Sequence, residues 1–109
     1  MTEITLFGYP IRCSVTRLDS GVHVLLTGGC RSHIGAVSLA EPGQQAETKV
    51  FPGHKDQFIS APWAERLAEK TGQRACVVCG IHYDGATKEQ IGEILRQMEG
   101  MLEELLGQI

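Results

Sequence analysis

The chain has 109 residues, 42% of them hydrophobic and 21% charged, with a formal net charge of −3 and a pI near 5.8. That length fits a single domain, 1–109, with a real core, and the acidic balance argues against a nucleic-acid binder, which would carry a basic stripe. No apolar run approaches the roughly 20 residues that cross a bilayer, and Met1-Thr2-Glu3 lacks the basic and apolar regions of a signal peptide. A cytoplasmic protein with no call on a membrane is expected.

In chain order, Glu3 to Phe7 reads as a short strand broken by Gly8-Tyr9-Pro10. Ile11 to Leu18 alternates apolar Ile11, Cys13 and Val15 with polar Arg12, Ser14 and Thr16, the period-2 signature of a half-buried strand. Asp19-Ser20-Gly21 is a turn signal, so this strand and Val22 to Thr27 should form a hairpin. Ile34 to Ala40 is a further apolar run, and Lys49 to Asp56 reads as a connector rich in breakers. From Ser60, a candidate N-cap with Pro62 in the first turn, Trp63, Leu67 and Thr71 recur at helical spacing until Gly72 stops the helix.

Arg74 to Ile81 reads as a strand buried on both faces and therefore central in its sheet. Thr87 and Gln90 form a capping box before the last helix. That helix, Lys88 to about Leu106, carries Ile91, Ile94, Leu95, Met98, Met101, Leu102, Leu105 and Leu106 as one apolar stripe, read as core or a helix–helix interface and not as a cofactor box. The order ββββαβα predicts an α+β fold: a two-layer α/β sandwich with a mostly antiparallel sheet and both helices on one face. The opposite face would be left uncovered, which favours a homo-oligomer.

Four cysteines, at 13, 30, 76 and 79, include a Cys76-x-x-Cys79 spacing. Inside a strand, residues three apart point to opposite faces, so this pair does not converge on one metal. Buried structural cysteines are the expectation, with Cys30 the exception because it sits inside a polar motif.

Three of the four histidines lie beside glycine in polar motifs at strand ends: Gly28-Gly29-Cys30-Arg31-Ser32-His33-Ile34-Gly35, Pro52-Gly53-His54-Lys55-Asp56 and Gly80-Ile81-His82-Tyr83-Asp84. Strand ends and their loops are where a rigid fold aims side chains at a ligand, and glycine adds close backbone approach and free amides that suit an anion. Arg31, Ser32 and the backbone at Gly29 could cradle a phosphate, with Lys55 adding a second cation. Tyr83 could stack on a ring or donate from its hydroxyl. The first motif is neither a Walker A loop nor a dinucleotide fingerprint.

The same residues have plainer readings: Arg31 in a surface salt bridge, His33 on backbone, Asp84 as a turn residue, His23 on a polar strand face. His33, His54 and His82 could also form a three-histidine site for a divalent metal with an open position, as in a small metal-dependent hydrolase or lyase. The residues by themselves leave these readings open.

Together, Gly29-x-Arg31-Ser32-His33-Ile34-Gly35, Pro52-Gly53-His54-Lys55-Asp56 and Cys79-Gly80-Ile81-His82-Tyr83-Asp84 resemble the LpdD-like prenylated-flavin chaperones, the small D subunits of gallate decarboxylase systems. The resemblance covers the chain from the second strand to the last helix. It implies a non-catalytic accessory protein that binds prenylated FMN, or FMN itself. Its implied partners are a flavin prenyltransferase that makes the cofactor and a UbiD-type decarboxylase that uses it. On that reading Arg31, Ser32 and Lys55 face the phosphate, Tyr83 or an imidazole meets the flat tricycle, and His33, His54 and His82 meet its polar edges. A purely structural decarboxylase subunit, with the motifs forming an interface, is the remaining alternative.

Overall fold

The computed structural model describes residues 2–53 and 55–109. The strands are β1 (Thr2–Leu6), β2 (Tyr9–Leu18), β3 (Gly21–Gly29), β4 (Ala36–Ala40), β5 (Glu47–Val50) and β6 (Ala75–His82). Helix α1 (Gln57–Thr71) precedes β6 and helix α2 (Lys88–Gln108) follows it. The strands form one six-stranded sheet in the order β1-β2-β3-β6-β4-β5. All neighbours are antiparallel except β3 and β6, which run parallel at the centre. This is the α+β sandwich expected from the pattern, with one strand more.

The added strand, β5, replaces part of the expected connector. It pairs with β4 at the sheet edge, with Ser38 opposite Thr48, and all four of its residues are exposed. A polar edge strand has no apolar face to betray it, and that polarity also protects the edge from pairing with other chains. The first hairpin is tighter than expected too. Phe7 and Gly8 form its two-residue turn with φ of 52° and 81°, and Tyr9 and Pro10 already belong to β2.

One core joins the sheet to both helices: Ile11, Val24, Leu26, Val77 and Cys79 from the strands meet Trp63, Leu67, Ile94, Met98 and Leu102. Apolar burial on this scale, about 25 cal/mol per Å², is the main force holding the layers together. β6 is central, and its helix-facing residues Ala75, Val77 and Cys79 are buried together with Gly80, while Cys76 and Val78 are half-buried. The expectation of burial on both faces is corrected: among the described residues no layer covers the far side. There Leu25, Val78 and Val37 lie side by side on β3, β6 and β4.

Helix α1 begins a turn earlier than the Ser60 cap implied. Asp56 is its N-cap, and Pro62 lies inside the helix. Ser60 is fully buried and exchanges a 2.8 Å hydrogen bond with Ser38, which meets Thr48 at 2.8 Å. This hydroxyl chain ties the start of α1 to β4 and β5. Helix α2 starts as its capping box predicts, Gln90 N–H donating to Thr87 Oγ1 at 3.1 Å and Thr87 N–H to Gln90 Oε1 at 2.9 Å.

Candidate cofactor-binding site

The parallel pair β3 and β6 ends together, Gly29 opposite His82, and β4 begins at the same end with Ala36 opposite Cys79. The first and third motifs, with Lys55 and Asp56 of the second, are therefore gathered at one end of the sheet by strand direction. Backbone hydrogen bonds clamp the first motif there: Cys30 N–H donates to His82 O at 2.7 Å, and Gly35 N–H to Cys79 O at 2.9 Å. Two glycines permit this close packing. A Cβ on Gly80 would collide with the His33 carbonyl, and one on Gly35 would collide with the Asp56 carboxylate.

Asp56 is the hub. It is an N-cap whose side chain makes no cap hydrogen bond. Its Oδ1 accepts from Ile81 N–H at 2.9 Å and lies 3.6 Å from the Cys79 thiol, while Oδ2 lies 3.2 Å from His33 Nε2. The residue is only 5% exposed, and a buried carboxylate of this kind persists only when its oxygens are satisfied. Burial, then the neighbouring Asp56 charge, pushes the Cys79 thiol well above its ordinary range.

A second carboxylate–imidazole pair stands beside the first. His82 Nε2 is 2.8 Å from Asp84 Oδ1, and the His33 and His82 rings meet edge to face at 6.3 Å. Asp84 is thus more than a turn residue, since its carboxylate orients His82 while its N–H donates to Cys30 Sγ at 3.5 Å. Tyr83 spends its hydroxyl on the backbone, donating to Leu6 O at 2.8 Å, with Phe7 and Tyr9 packed against its ring. Burial, then the nearby Cys30, pushes the Tyr83 phenol up.

A cavity of about 550 Å³ opens at this end, lined by Gly53, Lys55, Asp56, Phe58, Ile59, Ile81, His82, Tyr83, Ala86, Ile91, Ile94 and Leu95. That volume suits a cofactor-sized ligand. Of the residues expected at the site, Lys55, His82 and Tyr83 line it. His33 stands behind them on Asp56, and Gly29 packs against the His82 carbonyl with φ of 82°. Arg31 and Ser32 are exposed on the loop outside the cavity lining. Among the described residues no ion pair holds Arg31 or Lys55, so the surface salt bridge considered for Arg31 is absent there.

The expectations placed on His54 lie outside the described residues. Among the described residues no group of three histidine, cysteine or acidic side chains is arranged to hold a metal. Sequence reasoning missed Asp56 and Cys79 as members of the site, and it took Ile91 and Leu95 for core. Asp56 falls at the end of the breaker-rich connector, ahead of the expected cap at Ser60, and nothing local shows that its carboxylate turns inward.

The sequence pattern described as "Prenylated flavin chaperone LpdD-like domain" matches residues 6–109. The chain belongs to that family, and membership supports a chaperone role. It is also 32% identical over 89 residues to Protein LpdD of Lactiplantibacillus plantarum, an alignment covering 77% of this chain and 65% of that relative. The chain thus spans a little under two thirds of the relative it matches. No helix among the described residues is long and apolar enough to cross a membrane.

Proposed function

We propose that this protein binds prenylated FMN and carries it between the flavin prenyltransferase that makes it and the UbiD-type decarboxylase that uses it. One observation carries the reading: a single cavity joins a cation, Lys55, an oriented imidazole, His82, and an aromatic and aliphatic wall at the end of the parallel strands. A flavin mononucleotide has matching parts. Its phosphate suits Lys55, with Arg31 reaching from the loop, and its polar ring edge suits His82. The plain sheet face beyond, with Leu25, Val78 and Val37 in a row, supports a homo-oligomer.

The test is anaerobic. Reduced prenylated FMN is mixed with the purified protein and passed over a sizing column, and the cofactor should co-elute and oxidise more slowly than when free. Co-elution no greater than with an unrelated protein would end the proposal.

A second reading rests on the two carboxylate–histidine pairs, His33 with Asp56 and His82 with Asp84, because metal-binding histidines are commonly oriented by carboxylates. His33, His82 and His54 would then hold a divalent cation. Elemental analysis of protein purified without chelator decides it: stoichiometric metal with no flavin affinity favours this reading over the first.

A further inference from the structure

We infer that the apolar wall formed by Phe58, Ile91 and Leu95 receives the hydrocarbon part of the ligand, so that the chain selects prenylated FMN over plain FMN. The inference rests on the flavin reading above and adds the residues that set its specificity.

Three observations carry it. Along α2 the apolar stripe is buried at Ile94, Met98, Met101 and Leu102, yet Ile91 and Leu95 are 48% and 40% exposed. They come to the surface where the cavity opens, and Phe58 of α1 shares its lining at 63% exposure. Three large apolar side chains left to water in one concavity leave apolar surface that a ligand would gain by covering.

The cavity is also two-sided in chemistry. Its other lining residues include Lys55, Asp56 and His82, so its complement is a molecule with an anionic or polar part and a bulky apolar part. Plain FMN supplies the first and, of the second, only the flat dimethylbenzene edge of its ring system, to which the prenylated cofactor adds a further hydrocarbon group.

Finally, there is room beyond the wall. A neighbouring groove of about 350 Å³ between the helices shares Phe58, Ile59 and Leu95 and continues over Trp63 and Met98. A hydrocarbon group projecting from the flavin would have an apolar path to follow.

The experiment compares anaerobic titrations of FMN and reduced prenylated FMN into wild type, the Phe58→Ser/Leu95→Ser variant and, as control, Leu18→Ser, which alters an exposed aliphatic side chain at the other end of the sheet. Because the altered side chains are substantially exposed, folding should survive, and a melting curve checks this. Wild type and the control should prefer the prenylated ligand by about tenfold or more, the usual yield of added hydrocarbon in an apolar pocket. The double variant should keep its FMN affinity and lose that preference. Equal wild-type affinity for the two flavins overturns the inference while leaving flavin binding intact. Wild type binding neither flavin brings down the flavin reading, and this inference with it. If light scattering shows that the double variant loses self-association with its preference unchanged, the wall is an interface between copies and the inference is overturned.

Discussion

At the residue scale the site depends on a carboxylate that the fold has taken out of water. Asp56 holds the Ile81 amide, faces His33 and is backed by Gly35. Asp56→Ala leaves the Ile81 N–H without its acceptor, and an unpaired buried donor costs about 1–3 kcal/mol. Urea unfolding should show a loss of that order, with a smaller one for Asp56→Asn, which keeps an acceptor oxygen. Gly35→Ala forces a methyl onto the Asp56 carboxylate; it should destabilise by about 1–3 kcal/mol and weaken flavin binding in the same preparation.

The thiols give a pH prediction. Burial pushes Cys13 from an ordinary 9.0 up to about 11, and Cys79 is also raised. For a thiol with a raised folded value, the unfolded chain releases its proton first. The folded state therefore holds more protons between the two values, and stability falls as pH rises. Chemical unfolding should show a flat contribution from Cys13 below about pH 9 and a decline from pH 9 to about 11, with Cys79 acting in the same direction. At neutral pH, a thiol-specific reagent should leave Cys13 and Cys79 unmodified until denaturant is added, because the thiolate is the reactive form.

At the scale of elements, α2 was the most legible part of the chain. Its capping box, its start and the buried part of its stripe, Ile94, Met98, Met101 and Leu102, rest on residues three or four apart, and the structure has them where the pattern puts them. Thr87→Ala removes the cap acceptor and should cost about 1 kcal/mol in thermal or urea unfolding. Less was legible in α1. Pro62 drew the expected start toward Ser60 because proline favours a first turn, yet the helix admits it further in. Phe58, whose carbonyl proline cannot serve, stands at an exposed position. Ser60 itself is buried against Ser38 instead of capping. β5 was not legible as a strand, since Glu47, Thr48, Lys49 and Val50 are all exposed and an edge strand needs only backbone pairing.

At the scale of the whole molecule, two helices cover one face of a six-stranded sheet, and among the described residues no layer lies over Leu25, Val37 and Val78. Light scattering should find a homo-oligomer, and Leu25→Lys/Val78→Lys should shift it to monomer, because burying two new charges in an apolar interface opposes association. If wild type is monomeric, that face is not an interface between copies.

By itself, the sequence determined the types of most elements, the caps of α2, the turn between β2 and β3, and the family motifs that mark one end of the fold. These follow from backbone geometry and contacts between near neighbours. Only the tertiary structure decided that β6 inserts parallel to β3 and antiparallel to β4, which brings residues 33, 56 and 79–84 together. It also decided that Asp56 turns inward and that part of an apolar helix stripe lines a cavity. Both depend on which surfaces meet across long loops, where burial and loop closure outweigh any local preference.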